Sequence, residues 1–209
     1  MKAIYLETFA GISGNMLLGA LLDAGFPIDV LKSELAKLNL GEYELVHQRA
    51  NKLGIDAQYF NVLLPHGHEH SHNHEHAHEH HHEHDHEHHH HHEEEHHHHE
   101  LPHTHHHHEH RNLAAVMDII DGSALSQSIK DKAREVFTAI AIAEAKVHGK
   151  TVEEVHFHEV GAIDTIIDIV GCLLGLEYLG LKKVYVGKIT TGHGFVKCAH
   201  GLTPVPAPV

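Results

Sequence analysis

Between His66 and His110 lies a stretch of 45 residues that cannot build a core, and it divides the rest of the chain in two. The window holds 27 of the 33 histidines and 11 of the 29 Asp and Glu residues, with no Lys or Arg. Its only clearly apolar side chains are Ala77, Leu101 and the ring of Pro102. Fixing a backbone costs about 1–2 kcal/mol per residue, so ordering the whole stretch costs tens of kcal/mol. Burying one leucine returns only about 1.5–3 kcal/mol. The composition therefore predicts a disordered loop. A surface connection tolerates such an insertion because closure entropy grows slowly with length.

Without that window the chain is ordinary. The other 164 residues carry 18 acidic and 15 basic side chains, so most of the formal charge of −14 belongs to the insertion. That length suits one domain, or two small ones sharing a core. No basic patch points to nucleic acid. Two cysteines cannot make a disulfide framework, which favours a reducing cytoplasm. Lys2 precedes only four uncharged residues before Glu7, too few for a signal-peptide core. The most apolar run, Ile169 to Leu176, is far shorter than the roughly 20 residues a membrane helix needs. A soluble protein is expected.

The histidine tract still carries chemistry. Histidine occupies nearly every second position from His66 to His80, then clusters at 88–92, 96–99 and 105–108. Neutral imidazole binds nickel, copper and zinc, with affinity generally rising along the series to copper. The tract should hold such ions labile, in several alternative geometries, which suits capture or storage better than selectivity. A solvated insert without a role and a pH sensor are the alternatives. With imidazole pKa near 6.5, roughly a quarter of the rings carry charge at pH 7.

In the remainder, Ala3 to Leu6 reads as a strand, and Gly11-Ile12-Ser13-Gly14 as the turn into an apolar helix from Met16 to near Gly25. Ile28 to Leu38 reads as an amphipathic helix. Tyr43 to His47 and Ile55 to Leu63 read as strands, with Asn51 to Gly54 turning between them. Leu113 to Ile120 is a short helix, and Ser126 caps a longer one ending at His148-Gly149. Val155 to His158 is extended, Ala162 to Leu179 is a helix apolar on nearly every side, and Val184 to Val186 is a strand. The expected class is α+β, a mixed sheet packed with several helices. The organisation is an α/β portion at 1–65, the His/Glu-rich loop at 66–110, and a helical portion at 111–209 whose strands complete the domain. The ending Pro204-Val205-Pro206-Ala207-Pro208-Val209 closes no packing unit, so the chain is expected to continue in a complete protein.

The strongest chemical signal runs from Val155 to Asp168. On an extended chain His156 and His158 share a face. Asp164 and Asp168, four apart on the next helix, share a stripe flanked by isoleucines. Two like charges at that spacing destabilise a helix unless a cation, a histidine or a substrate amine compensates them. The plainer alternative has Asp164 capping the helix by its dipole, worth about 0.3–1 kcal/mol, and Asp168 paired with a lysine such as Lys146. Gly11-Ile12-Ser13-Gly14 could offer backbone N–H groups to an anion at a helix start, or be a tight turn with no ligand. It matches neither G-x-G-x-x-G nor a Walker A loop. His193, Cys198 and His200 sit among glycines, and Cys-x-His can bind soft metals, although a lone Cys is more often buried and apolar. Cys172 is expected in the core, and His47 and His148 on the surface.

These segments together resemble a known family. Tyr5-Leu6-Glu7 with Phe9-Ala10-Gly11-Ile12-Ser13-Gly14-Asn15-Met16-Leu17-Leu18-Gly19-Ala20-Leu21 is similar to the opening of the LarC-type nickel-insertion proteins. Val155-His156-Phe157-His158-Glu159-Val160-Gly161-Ala162-Ile163-Asp164 with Asp168-Ile169-Val170-Gly171 resembles that family's most distinctive motif. A third match is Gly194-Phe195-Val196-Lys197-Cys198-Ala199-His200-Gly201 with Pro204-Val205-Pro206-Ala207-Pro208. Glu7 and Asn15 stand where the family usually has Asp.

The resemblance implies insertion of Ni2+ into pyridinium-3,5-bisthiocarboxylic acid mononucleotide, forming the metal–carbon bond of the nickel-pincer cofactor of lactate racemase. It also implies that the complete protein is a lyase-class insertase that uses CTP with Mn2+ or Mg2+, the CTP site lying in a C-terminal half. Lactate racemase apoenzyme is a further implied partner. On this reading His156, His158, Cys198, His200 and His193 are candidate metal ligands. Glu159, Asp164 and Asp168 are candidate catalytic groups, as ligands or bases, and Gly11, Ser13, Gly14 and Asn15 candidate contacts to the nucleotide. A nickel store or metallochaperone without catalysis is the competing reading, and a structural domain with a decorative insert is the third.

Overall fold

A parallel pair of strands ties the two ends of the chain together across the insertion. In the computed structural model, which describes residues 2–65, 111–157, 161–198 and 201–206, β1 (Lys2–Leu6) lies beside β4 (Leu181–Val186), with Ile4 opposite Val184 and Leu6 opposite Val186. The stretches before and after the insertion therefore share one core. The expectation of a disordered loop at 66–110 falls outside the described residues.

β1 feeds α1 (Gly14–Asp23), followed by α2 (Ile28–Leu35) and a 3-10 turn (Ala36–Leu38). The periodicity predicts a single helix over Ile28 to Leu38. The last turn tightens instead, and Asn39 then leaves in the left-handed region at φ 51°. A hairpin follows, β2 (Glu44–Lys52) pairing antiparallel with β3 (Ile55–Leu63) from Glu44 opposite Leu63 to Lys52 opposite Ile55. The connection is only Leu53-Gly54, both at positive φ (53° and 83°), as a two-residue hairpin turn with matched twist requires. β2 therefore runs five residues further than the alternation at Tyr43 to His47 indicates.

After the insertion come α3 (Leu113–Gly122), α4 (Gln127–His148) and α5 (Ile163–Tyr178). Asn112 caps α3 by accepting from the Ala115 amide at 2.9 Å, and Ser126 caps α4 by accepting from Ile129. Gly149, at φ 61°, ends α4 in the left-handed conformation that suits glycine. β5 (Phe195–Cys198) and β6 (Gly201–Pro204) form a short antiparallel hairpin where the sequence indicates only a glycine-rich loop.

The α+β class holds. Among the described residues, however, the strands form three separate two-stranded sheets rather than one mixed sheet. α5 is the central element, burying Ile166, Ile167, Val170 and Leu174 against Leu18 and Leu21 of α1 and the rest of the core. α1 and α5 run side by side in the same direction and very close. A Cβ on Gly171 would come within 2.8 Å of the Leu18 side chain, and one on Gly175 within 3.0 Å of Phe26. Real Cβ atoms do not tolerate the first of these, so the glycine at 171 sets the helix separation. Among the described residues, no helix is long and apolar enough to cross a membrane.

Candidate functional site

The carboxyl ends of the two parallel strands open into loops that stay together. The Gly187 amide donates to the Leu6 carbonyl at 3.0 Å, and the Thr190 amide to the Thr8 carbonyl at 3.2 Å. Thr8 is buried and donates its hydroxyl to the Lys188 carbonyl at 3.1 Å. Beyond these contacts residues 10–12 and 189–192 separate around a cleft of about 490 Å³, bounded on one side by Pro206. Ligands in parallel α/β sheets bind outside the carboxyl ends of the strands, which is the position of this cleft. A larger groove of about 870 Å³ runs along residues 32–45, but it holds none of the sequence-predicted site residues.

The start of α1 adjoins this region and is where two separate sequence signals meet. Gly14 and Asn15 are its first two residues, and α5 lies against them with Asp168 and Cys172, four residues apart, while Asp164 precedes Asp168 by the same spacing. A Cβ at Gly14 would lie 2.6 Å from both the Cβ and Oδ2 of Asp168, so only glycine fits beneath that carboxyl. The Asn15 amide donates to the Asp168 carboxyl. That amide belongs to the first turn of α1, where N–H groups lack partners within the helix. Ser13, at the N-cap position, makes no capping bond and donates its hydroxyl to the Asn15 side-chain carbonyl instead. Asp168 thus does from outside the work a capping side chain ordinarily does. Asp164 accepts from the Thr165 amide at 2.8 Å.

Burial pushes Asp168 up to about 7, and the nearby Asp164 pushes the same way, while the Asn15 amide opposes them. Its Oδ1 is buried and has no hydrogen-bond partner among the described residues. A carboxyl poised near neutrality, with one bare oxygen, can exchange a proton at physiological pH. The alternative pairing of Asp168 with Lys146 does not form among the described residues, where Asp168 takes a backbone amide and Lys146 is exposed to solvent.

The predicted metal ligands are less united. His156 is exposed between buried Val155 and Phe157, so the expected alternation holds over these three residues. It bridges to Asn112, and the Phe157 amide donates to the Arg111 carbonyl at 3.0 Å, so His156 sits where the chain returns from the insertion. His158, Glu159 and His200 lie outside the described residues, as does the side chain of Cys198. His193 is exposed in the loop following Gly192 of the cleft wall. Among the described residues no group of three or more His, Cys, Asp or Glu side chains is placed to hold a metal ion. The sequence places His148 at the surface, but it is largely covered and lies 3.3 Å from the buried carboxylate of Glu144 one turn earlier.

Cys172 is buried, as its apolar neighbours indicate, but it is more than filler: its thiol donates to the Gly14 carbonyl at 3.5 Å. The sequence signal for this is its place four residues after Asp168.

Comparison with known proteins follows the same residues. The chain matches the model of the nickel insertion protein family over residues 4–209. It is 42% identical over 208 residues to a Desulfitobacterium hafniense protein named pyridinium-3,5-bisthiocarboxylic acid mononucleotide nickel insertion protein, a match covering all of this chain and 42% of that one. A Geobacillus kaustophilus protein of the same name is 40% identical, with 43% of its length covered. A Wolinella succinogenes protein named putative nickel insertion protein is 44% identical, again with 43% covered. The chain thus spans less than half the length of these curated relatives. No solved structure matches it. With the Gly11 to Asn15 turn, the Asp164–Asp168 stripe and the cleft all inside the matched region, the chain belongs to the nickel insertion protein family.

Proposed function

We propose that this chain takes part in inserting nickel into pyridinium-3,5-bisthiocarboxylic acid mononucleotide, yielding the nickel-pincer cofactor of lactate racemase. The observation that carries the reading is the convergence of Gly14, Asn15 and Asp168 at one helix junction, in a chain matched from end to end by proteins of that name. Nickel is the cargo here, and the nucleotide is the acceptor.

Replacing a ring C–H by a carbon–nickel bond releases one proton. Asp168 is suited to take it, because its carboxyl gains and loses a proton near neutral pH and presents an oxygen with no other partner among the described residues. Asp164 raises the proton affinity of Asp168, and Glu159 is a second candidate base. The backbone of Gly11 to Asn15, with Ser13, is the proposed seat for the nucleotide phosphate, at a helix start whose dipole favours an anion. The neighbouring cleft then receives the ring. His156, His158, His193, Cys198 and His200 are the proposed route by which nickel arrives, supplied by the histidine tract.

CTP use, assistance by Mn2+ or Mg2+, and lyase-type turnover belong to the complete protein on this reading. The remaining C-terminal half and lactate racemase apoenzyme are partners, and the setting is cytoplasmic. Asp164 and Asp168 are hard oxygen donors of the kind Mn2+ and Mg2+ prefer. Two carboxylates alone do not complete a site for either ion.

The competing reading, a nickel store or chaperone, draws on the histidine density of 66–110. Deleting His66 to His110 and, separately, changing His158 and Asp164 to Ala separates the two. An insertase keeps nickel transfer to the mononucleotide at high nickel without the tract and loses it with the point changes. Transfer that survives the point changes but not the deletion overturns the assignment in favour of storage.

A further inference from the structure

The peptide between Gly14 and Asn15 is held at both poles by one face of α5. Its carbonyl accepts from the Cys172 thiol at 3.5 Å, and its N–H donates to the Asp168 carboxyl. A peptide unit is a rigid plane, so fixing the direction of the C=O also aims the N–H. Asp168 and Cys172 are four residues apart on α5, hence neighbours on one stripe, and α1 lies close enough for both to reach. The absent side chain at Gly14 is what allows the approach, since a Cβ there would collide with Asp168.

Resting on the reading that this junction is the working site, we propose that Cys172 is a positioning residue: its thiol fixes the Gly14–Asn15 peptide in the orientation that keeps the Asn15 amide on Asp168. Two further observations agree with this role. Burial and the adjacent Asp168 hold the thiol well above its ordinary range, so it remains an S–H donor and is neither a thiolate ligand nor a nucleophile. Ser13, the residue that could have capped this amide, is turned aside to the Asn15 side chain. A cysteine that merely filled space would need no acceptor, and serine would be a poor substitute for it. For a positioning donor, serine is the natural replacement.

That contrast supplies the test. Amide hydrogen exchange of Asn15, compared with Leu18 and Leu21 of the same helix, is measured in the native chain, Cys172→Ala and Cys172→Ser, with no nickel or nucleotide present. The Ala variant is expected to exchange Asn15 about fivefold faster, the size of one lost hydrogen bond. The Ser variant is expected to stay within about twofold of the native rate. Unchanged exchange in Cys172→Ala, or exchange in Cys172→Ser as fast as in Cys172→Ala, overturns the proposal. Should Cys172→Ala fail to fold, Cys172→Val fills the volume without a donor and is read the same way. Because no substrate is involved, failure here bears on Cys172 alone, whereas a failed nickel-transfer assay bears on the functional reading.

Discussion

Changing Asp168 to Asn converts a carboxyl that titrates near neutrality into a neutral amide of the same shape, and the effect on stability depends on pH in a calculable way. In the folded chain the carboxyl is pushed from 3.8 up to about 7. In the unfolded chain it titrates near 3.9. Below about pH 4 both states hold the proton, and the group contributes no pH dependence. Between about pH 4 and 7 the native state keeps a proton that the unfolded state has lost, so stability falls as pH rises, then levels off above 7. A shift of about three pH units corresponds to roughly 4 kcal/mol at 1.36 kcal/mol per unit. Asp168 is not wholly withdrawn from water, so about 2–4 kcal/mol is the expected loss. The Asp168→Asn variant would carry no such slope. It would have a constant penalty of about 1–3 kcal/mol if its amide leaves a buried donor unsatisfied. The assay is urea unfolding of both proteins at several pH values from about 4.5 to 8.5, the window this shift spans. Every other group is common to both proteins, so the difference between the curves isolates residue 168. The variant should gain on the native chain by about 2–4 kcal/mol across that range. Parallel curves would refute the argument that burial of Asp168 dominates its titration.

Other consequences are quicker to check. Gly14→Ala places a Cβ 2.6 Å from Asp168 and should cost about 1–3 kcal/mol in urea unfolding, with loss of Asn15 amide protection. Gly171→Ala drives a methyl to within 2.8 Å of Leu18 and should lower stability by a similar amount, whereas Gly180→Ala, with open space at its Cβ, meets only the strain of φ 67°. Ser126→Ala removes the cap of α4 and should cost about 0.5–2 kcal/mol, measured the same way. Deleting His66 to His110 should abolish most nickel uptake in calorimetric titration while leaving the unfolding midpoint nearly unchanged; full uptake without the tract would contradict the capture role.

Much of this architecture is legible in the residues themselves. Helices with a strong apolar period and clear punctuation, such as Gln127–His148 between Ser126 and Gly149, declare both ends. The βα turn at Gly11 to Gly14 and the acid pair on α5 are each visible as local patterns. That they meet in space is not visible, because the contact joins residues more than 150 positions apart and depends on a missing side chain at Gly14. Local spacing likewise conceals the role of Cys172, whose acceptor is a distant backbone carbonyl. The hairpin of β5 and β6 escapes a reading by pattern because its strands are only four residues each, too short to show alternation, and glycines at 192, 194 and 201 mark the segment as loop. His148 is more covered than the same kind of reading indicates: a histidine at a helix end looks like surface, yet it packs 3.3 Å from the buried Glu144 one turn earlier.

On the proposed reading the chemistry resides at the junction of α1 and α5, and the histidine tract only gathers the metal. Its most direct test is nickel incorporation into the mononucleotide, followed by mass spectrometry at saturating nickel, with CTP and the C-terminal portion present in the longer relatives supplied. The native chain, Asp168→Asn and the chain lacking 66–110 are compared. The deletion is expected to retain incorporation and Asp168→Asn to lose it. Incorporation retained by Asp168→Asn and lost by the deletion would contradict it.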